Sequence, residues 1–456
     1  MGKYFGTDGF RGEAGTELTA EHAFKIGRYL GICFGKEHRC RAVIGKDTRW
    51  SGSMLEYALA AGLMSVGADA YLMHVTTTPS VSYAVCSGGF DCGIMISASH
   101  NPFYDNGIKL IDGIGGKTGD ETVAGAEMYL DGMGGMDGMT DVFSPAVRGD
   151  IGAAVDYEAG REGYIKHLIG LGGDGVGGLK VGLDTANGSA SGMAEEIFEA
   201  IGAKTFAIEN SPDGFNINRK CGSTSPQALS EFVREKHLDI GFAFDGDADR
   251  CIAVDENGGI ITGDHILYIL GCNMKERGKL AGDTVVSTVM SNSGLREAFA
   301  EKGISLRLTD VGDRNVSEEM RRSGVCLGGE SCGHIIIPEY ETVGDGLVTA
   351  IMLARLLARK GGRASKLYDG LFMYPQITKS VRSCDRDSAL HEPEVVRAAE
   401  RAEQMLGGKG KLLIRKSGTE PVIRITVEAQ SSELCSELAD SIADAIAAGG
   451  YSDGRI

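Results

Sequence analysis

The feature of this 456-residue sequence that most constrains its fold is one pattern that occurs three times. Each copy has a short apolar strand, a polar loop ending in Ser-Gly, a helical stretch and a second strand. The copies begin with RAVIGKDTRWSG at 41–52, LKVGLDTANGSASG at 179–192 and DTVVSTVMSNSG at 283–294. Hydrophobic period and spacing predict a βαβ unit in each copy. We therefore predict an α/β protein with three related domains built on mixed sheets.

Each copy then continues to an apolar, glycine-bearing strand and a loop rich in polar groups. These segments are DCGIMISASHN at 91–101, DIGFAFDGDADR at 239–250 and GVCLGGESCGH at 324–334. In mostly parallel sheets, ligands bind beyond the carboxyl ends of the strands. We therefore expect the chemistry of this protein in these three loops.

Changes in composition suggest the domain limits. The stretch 131–152 is rich in glycine and methionine without periodicity, which predicts a linker or mobile hairpin. An Asn-Gly turn at 256–259 and a glycine-rich joint at 360–370 mark two more limits. Residues 411–429 alternate apolar and polar side chains around a turn, which predicts an antiparallel hairpin. The predicted domains are three α/β domains over 1–150, 151–256 and 257–368, and a smaller C-terminal α+β domain over 369–456.

The formal charge of -17 argues against a nucleic-acid partner, because a protein that binds the phosphate backbone needs a basic surface. No segment has the run of roughly 18 apolar residues that a membrane span needs. The eleven cysteines include no C-x-x-C pair and are expected to be reduced. We expect a cytoplasmic enzyme of small molecules with no membrane partner, assembled as a homodimer.

The first of the three loops places Ser99 beside His100, and Lys109 after an Asn-Gly pair at 106–107 that predicts a turn. A hydroxyl is a poor nucleophile unless a base or a metal activates it. His100 or Lys109 could manage protons, and a metal could bind the resulting phosphoserine. The alternative is a turn whose Ser and Asn side chains only cap backbone groups. In both interpretations we expect the Ser99 hydroxyl to be exposed.

The second loop carries Asp245, Asp247 and Asp249, separated by residues small enough to let the backbone wrap an ion. Such oxygen ligands suit Mg²⁺ or Ca²⁺. An EF-hand is the first alternative, since Glu256 falls at the twelfth position, but Arg250 stands where that loop needs glycine. A solvated acidic turn is the second. A phosphoserine as fourth anionic ligand would bring Mg²⁺ onto the transferring phosphoryl group.

In the third loop, glycines allow close approach while Glu330 and His334 are left to face a ligand. Glu330 can accept hydrogen bonds from sugar hydroxyls, and a histidine titrates near neutral pH. A glycine-rich turn with a satisfied histidine is the alternative.

The C-terminal hairpin brackets Ser417, Gly418 and Thr419 with Arg415 and Arg424. Guanidinium groups, hydroxyls and an accessible backbone together predict a phosphate site. A turn with solvent-facing arginines is the alternative.

The four motifs S-A-S-H-N-P, D-G-D-A-D-R, G-E-x-x-G-H and R-x-S-G-T-E-P, in this order, resemble the α-D-phosphohexomutase superfamily. The resemblance begins at FGTDGFRG, residues 5–12, and covers nearly the whole chain. It implies four domains around a central cleft, and a bisphosphorylated sugar that is both intermediate and activator.

The resemblance also implies roles for individual residues. One Mg²⁺ would be bound by phosphorylated Ser99, Asp245, Asp247 and Asp249. The implied catalytic groups, with Lys109 and His334 as general base and acid, are Ser99, Lys109, His100, His334, Arg11 and Arg250. The implied substrate-binding residues are Thr309, Gly312, Glu330, Ser331, Cys332, Arg415, Ser417, Gly418, Thr419 and Arg424.

Within the superfamily, the segments at 6–12, 95–109 and 311–316 look most like the phosphoglucosamine mutases, which interconvert glucosamine 6-phosphate and glucosamine 1-phosphate. The second residue after the sugar-binding glutamate is usually serine and here is Cys332, a weaker hydrogen-bond donor. Either Ser331 substitutes or selectivity is relaxed. The alternatives are a phosphoglucomutase/phosphomannomutase and a sugar-phosphate-binding protein without turnover.

Overall fold

The apolar strands of the first repeat form the centre of a seven-stranded sheet. A computed structural model describes residues 2–6, 8–132, 145–416 and 422–450, and the backbone of 452–455. The strands of this sheet are β1 Phe5–Gly6, β2 Gly9–Glu13, β3 Arg41–Lys46, β4 Asp69–Val75, β5 Cys92–Ile96, β6 Asp105–Asp112 and β7 Ala154–Asp156. Its helices are α1 Ala20–Phe34, α2 Gly52–Met64, α3 Thr78–Gly88 and α4 Asp120–Leu130.

The strand order in this sheet is β1-β2-β6-β5-β3-β4-β7. Neighbours are parallel from β5 to β7 and antiparallel from β1 to β5. Strands β3 and β5 are buried along almost their whole length, as expected where helices cover both faces. The carboxyl ends of both therefore open at one edge of the sheet.

The turn predicted at Asn106 and Gly107 is wrong, because both residues lie inside β6. This strand pairs with β2 on one side and β5 on the other, so pairing on both sides holds the Asn-Gly segment extended. The predicted linker falls largely on 133–144, which lie outside the described residues; its last part forms a 3₁₀ turn over Arg148–Asp150 ahead of β7.

The second repeat forms a five-stranded sheet of order β12-β11-β10-β8-β9. Its helices are α5 Glu158–Leu171, α6 Ala194–Ala200 and α7 Gln227–Lys236. Its strands are β8 Lys180–Asp184, β9 Lys204–Ile208, β10 Ile240–Phe244, β11 Cys251–Asp255 and β12 Ile260–Ile261. Strand β10 is buried throughout and parallel to β8, so it also ends at a carboxyl edge.

The third repeat forms a four-stranded sheet of order β14-β13-β15-β16. Its strands are β13 Thr284–Thr288, β14 Ser305–Thr309, β15 Gly328–Gly329 and β16 Ile335–Ile336. Its helices are α8 Gly263–Glu276, α9 Ser293–Glu301, α10 Asp313–Ser323 and α11 Gly346–Lys360.

The C-terminal part is an antiparallel sheet of order β18-β19-β17-β20 with helices on it. Its strands are β17 Gln376–Ser383, β18 Lys411–Lys416, β19 Val422–Glu428 and β20 Ser452–Arg455. Its helices are α12 Arg386–His391, α13 Pro393–Leu406 and α14 Ser432–Ala448. The predicted hairpin is confirmed as β18 and β19, and its tip lies outside the described residues.

The chain forms two compact units, one of residues 1–289 and 307–369 and the other of residues 290–306 and 370–456. The predicted α/β class with mixed sheets is confirmed; the four domain limits drawn from the sequence stay a prediction. Among the described residues, no helix has both the length and the apolar character needed to cross a membrane.

Candidate active site

Ser99 lies in the loop after β5, with its backbone in the left-handed region at φ 52°. Its N–H donates to Ser97 Oγ over 2.9 Å, and its own Oγ donates to Asp245 Oδ2 over 2.5 Å. Contrary to the exposed hydroxyl expected from the sequence, Ser99 is fully buried. The reason is that the loop of the second repeat lies directly on it.

Arg49 fixes the backbone of the Ser99 loop. It follows β3 by three residues, is buried, and donates from Nε to Asp47 Oδ2 over 2.9 Å. Its Nη groups donate to the carbonyl oxygens of Ser99 at 3.0 Å, Asn101 at 2.8 Å and Asp105 at 3.0 Å. Arg49 was not predicted from the sequence, although its place after a buried parallel strand in the first repeat was a usable signal.

The three aspartates follow β10, and all are buried. Gly246 lies so close to the Ser99 loop that a Cβ there would come within 2.5 Å of the Ser99 carbonyl oxygen. Asp247 accepts a hydrogen bond of 2.5 Å from Thr78 Oγ1. The structure thus brings together Ser99 and the carboxylates that the sequence singled out.

The acid cluster fits a divalent cation. One carboxylate oxygen from each of Asp245, Asp247 and Asp249 lies within 4.8 Å of the others. Over the described parts of the chain, Asp247 Oδ1 and Asp249 Oδ1 are buried and accept no hydrogen bond. Burial raises the pKa of Asp245 to about 8, and the neighbouring charges of Asp249 and Asp247 add to the rise. Buried carboxylates with unused oxygens are the ligands that Mg²⁺ prefers.

Lys109 on β6 faces this cluster. Its Nζ donates to Asp247 Oδ2 over 2.7 Å and to Asp249 Oδ2 over 3.0 Å. Burial lowers the pKa of Lys109, but the charges of Asp247, Asp249 and Asp8 outweigh it and hold the pKa well above its usual value. Lys109 therefore carries its proton in this arrangement.

His334, from the loop of the third repeat, faces the same cluster. Its Nδ1 lies 3.7 Å from Asp249 Oδ1, and its Nε2 lies 3.6 Å from Asp313 Oδ2. Burial lowers the pKa of His334, while the close carboxylate of Asp249 and the charge of Asp313 raise it to about 9. The imidazole is therefore charged at neutral pH.

Two arginines and a neutral histidine surround Ser99. Arg250 Nη1 donates to His100 Nδ1 over 3.0 Å, and that Nδ1 lies 3.4 Å from Ser99 Oγ. Burial, then the charges of Arg250 and Arg11, lowers the pKa of His100 to about 4. Arg11, on β2, forms an ion pair with Asp8. Two guanidinium groups that act on His100, which itself lies beside Ser99 Oγ, are suited to a phosphoryl group.

Two further residues of the site were missed by the sequence analysis. Lys117 donates to Asp8 Oδ1 and to Asp313 Oδ1, each over 2.8 Å. Lys117 thus links Asp8, in the loop that precedes β2, to Asp313 at the N-terminus of α10. Asp313 in turn contacts His334. Asp313 lies inside the segment 311–316 used for the family resemblance, which was the available signal.

The predicted sugar-binding loop of the third repeat is held by hydrogen bonds, and its carboxylate, Glu330, is half-buried. Glu330 Oε1 accepts from the Gly312 N–H over 3.2 Å, and Cys332 Sγ lies 3.9 Å from Glu330 Oε2. Burial raises the pKa of Cys332 to about 11, so it stays a thiol. The Ser331 carbonyl accepts from Gly263, and Thr309 Oγ1 donates to the Asp310 carbonyl over 2.9 Å.

The predicted phosphate site lies in the second compact unit. Arg415 on β18 and Arg424 on β19 are directly opposite in the antiparallel register. Arg415 Nε is buried and has no hydrogen-bond partner among the described residues. Like charges opposite each other are unfavourable unless an anion joins them. Ser417, Gly418 and Thr419 lie outside the described residues.

Four family models match this chain in the order of its domains. They are phosphoglucomutase/phosphomannomutase alpha/beta/alpha domain I at 2–131, domain II at 162–259, domain III at 262–374 and the C-terminal domain at 382–445. The chain belongs to the phosphoglucomutase/phosphomannomutase family. The α-D-phosphohexomutase resemblance drawn from the sequence motifs is thereby confirmed, and the chain is an enzyme of this family.

Curated relatives and a solved structure of this family align over nearly the full length. A phosphoglucosamine mutase of Lachnospira eligens is 52% identical over 454 residues, covering 99% of this chain and 100% of that protein. One of Streptococcus pneumoniae is 46% identical over 453 residues, covering 98% and 99%. A phosphoglucomutase/phosphomannomutase family protein of Burkholderia thailandensis has a TM-score of 0.78 at 25% identity, covering 100% and 99%.

Proposed function

We propose that this chain interconverts glucosamine 6-phosphate and glucosamine 1-phosphate by passing a phosphoryl group through Ser99. The observation that carries the reaction is Ser99 Oγ, 2.5 Å from Asp245 inside a buried acid cluster faced by Lys109 and His334. Support for the amino sugar is the 52% identity to a phosphoglucosamine mutase over nearly the whole chain.

The reaction consists of two transfers. In the first, the bond between phosphorus and Ser99 Oγ breaks, and a bond forms between phosphorus and a hydroxyl oxygen of the substrate. The substrate hydroxyl gives up its proton, and Ser99 Oγ regains one. The sugar then carries two phosphates, and the second transfer returns the other phosphate to Ser99. A sugar 1,6-bisphosphate added from outside enters at this intermediate and phosphorylates Ser99.

The side chains around Ser99 are assigned to three tasks: proton transfer, neutralisation of the phosphoryl oxygens and metal binding. His334, which carries a proton, gives one to Ser99 Oγ, and Lys109 takes the proton of the substrate hydroxyl after releasing its own. Arg11 and Arg250 neutralise the phosphoryl oxygens beside the neutral His100. Asp245, Asp247 and Asp249, with the Ser99 phosphate, would hold Mg²⁺, which offsets negative charge on the transferring phosphoryl group when bound.

Substrate binding is assigned to two groups of residues. Glu330 accepts hydrogen bonds from sugar hydroxyls, with the backbone and side chains of the third loop beside it. The phosphate that does not react is bound by the hairpin. These substrate-binding residues are Thr309, Gly312, Glu330, Ser331, Cys332, Arg415, Ser417, Gly418, Thr419 and Arg424.

A panel of hexose 6-phosphates tests the sugar. With Mg²⁺ and a hexose 1,6-bisphosphate activator, kcat/KM is expected to be highest for glucosamine 6-phosphate. A higher kcat/KM for glucose 6-phosphate or mannose 6-phosphate would assign the chain to the phosphoglucomutase/phosphomannomutase activity instead. Cys332→Ser would then test whether the cysteine causes this preference.

Intact mass tests Ser99. After incubation with a hexose 1,6-bisphosphate, the chain is expected to gain one phosphate that maps to Ser99, and Ser99→Ala is expected to gain none and to lose nearly all turnover. Ser53→Ala, at an exposed position of α2, is a control that keeps the phosphate acceptor. Normal turnover by Ser99→Ala would disprove the phosphoserine mechanism, and a chain that never accepts phosphate would favour binding without turnover.

A further inference from the structure

A cavity of about 720 Å³ lies between the C-terminal halves of α8 and α11, away from the catalytic loops. The loop after α5 and the residues after β16 close its other sides. Its apolar wall consists of Leu270, Met274, Ile337, Met352 and Leu356. None of the residues assigned above to the reaction lines it. Its size is typical of sites for small organic ligands.

Basic side chains surround this cavity in a chain whose formal charge is -17. Arg277, Lys279, Arg355 and Arg359 line it, against the acids Asp174 and Glu339. Two of the four are engaged: Lys279 lies 3.6 Å from Glu339, and Arg359 donates to Asn273 Oδ1 over 2.5 Å.

The guanidinium groups of Arg277 and Arg355 are not neutralised. Within the part of the chain that the structure describes, neither forms an ion pair, and the one side-chain hydrogen bond of Arg355 runs from Nη1 to the sulfur of Met352, at 3.9 Å. The guanidinium of Arg355 also packs over Gly173. Basic residues often complement the dipole at a helix C-terminus, which suffices for Arg359 and for Arg277 at the C-cap of α8. It does not explain Arg355, which lies more than one turn before the end of α11.

Tyr340 adds a flat ring to the same wall. Its hydroxyl has no hydrogen-bond partner among the described residues. Burial raises the pKa of Tyr340, helped by Glu339, while the charges of Arg355 and Arg277 act in the opposite direction. Arg277, Arg355 and Tyr340 all line this one cavity, so a single ligand in it can contact the three side chains together.

We propose that this cavity is a second binding site, which takes an organic phosphate ester with a flat ring, such as a nucleoside monophosphate. Arg277 and Arg355 bind the phosphate through paired N–H donors, which suit its oxygens. Tyr340 and the apolar wall cover the ring.

The two helices that border the cavity, α8 and α11, begin at the catalytic loops. At the N-terminus of α8, the Gly263 N–H donates to the Ser331 carbonyl over 3.0 Å. At the N-terminus of α11, the Gly346 N–H donates to the Ala248 carbonyl, inside the aspartate loop, over 3.0 Å. Each helix is about 20 Å long. The cavity thus lies at the C-terminal ends of two helices whose N-termini contact the sugar loop and the aspartate loop.

Calorimetric titration of the full chain with adenosine 5′-monophosphate tests the site. Excess glucose 6-phosphate is present throughout, so that the phosphate-binding residues of the active site are occupied. We expect a dissociation constant below about 1 mM, and affinity at least tenfold weaker for adenosine and for inorganic phosphate. Equal affinity for inorganic phosphate, or no heat up to several times that concentration, would overturn the proposal.

Two variants localise the binding. Arg277→Gln and Arg355→Met are each expected to weaken affinity about tenfold or more, because each removes a charged hydrogen bond. Arg296→Gln, an exposed arginine on α9, is the matched control and should bind like the parent chain. Arg277 is exposed, so its variant should fold even if that of Arg355 does not. Unchanged affinity in Arg277→Gln would contradict the site, and no part of this assay depends on turnover.

Discussion

Arg49 positions the backbone of the loop that carries Ser99. Four backbone carbonyls within residues 99–105 converge on its buried guanidinium, and Asp47 balances its charge. A lysine has one ammonium group and cannot reproduce a fork of several donors. We therefore assign Arg49 as a positioning residue for the phosphoserine.

Arg49→Lys tests this role. We expect kcat to fall about tenfold or more with little change in KM, since a loop displaced by 1 Å misplaces the reacting oxygen. Phosphorylation of Ser99 by a hexose 1,6-bisphosphate, followed by intact mass, should slow by a similar factor. Arg219→Lys, an exposed arginine, is the control. A kcat within twofold of the parent chain would show that Arg49 serves only stability.

Arg415, unlike Arg49, is proposed to bind an anion, the phosphate that does not react. Arg415→Ala is expected chiefly to raise KM, because a group that binds the same phosphate in the ground state and the transition state contributes uniform binding. Steady-state kinetics on the preferred hexose phosphate measure this, with Arg397→Ala on α13 as the control. A large fall in kcat at unchanged KM would contradict the role.

At the scale of elements, the N-terminus of α8 has a pH-sensitive cap. His265 Nδ1 accepts from the Thr262 N–H over 3.2 Å, and its ring packs against Tyr368 with 4.9 Å between centroids. Burial lowers the pKa of His265 to about 4. Since the folded pKa lies below the usual value of about 6.5, this histidine contributes stability that is present above pH 6.5 and lost as the pH falls toward 4.

His265→Gln separates this contribution from other acid effects. Glutamine also accepts from the backbone at this position of a capping box but does not titrate. Between pH 7 and pH 5, the free energy of unfolding of the parent chain should fall by about 1–2 kcal/mol more than that of the variant. Urea unfolding at the two pH values measures the difference. Parallel losses in both proteins would rule out His265 as the titrating group.

The sequence predicted those elements whose cause is local. Strands β3, β5 and β10 are short apolar runs followed by polar loops. Their burial, and the position of the candidate catalytic residues after them, could therefore be inferred from the pattern of apolar and polar residues. Asn106 was misjudged because two neighbouring strands outweigh a local turn preference. Arg49 and Lys117 were missed because their partners are distant in sequence, and pattern alone does not show which loops meet.

At the scale of the whole molecule, the acid cluster is proposed to bind Mg²⁺, and we therefore expect this ion to stabilise the first compact unit. A ligand that binds only the folded state stabilises it by about 1.4 kcal/mol at ten times its dissociation constant. Scanning calorimetry is therefore expected to show a higher Tm with Mg²⁺ than with a chelator. Asp247→Asn should lose this rise, whereas exposed Asp156→Asn should keep it. A rise that persists in Asp247→Asn would place the ion elsewhere.

The hydrogen bond between Ser99 and Asp245 joins residues 146 positions apart. During translation, the nucleophile therefore leaves the ribosome long before its acid partner, and the loop of His334 comes later still. Until then the Ser99 loop has no carboxylate cluster above it and no means to exchange phosphate. On the proposed mechanism, a prematurely terminated chain is therefore expected to be inactive, because the site is complete only after the third repeat has been synthesised and folded.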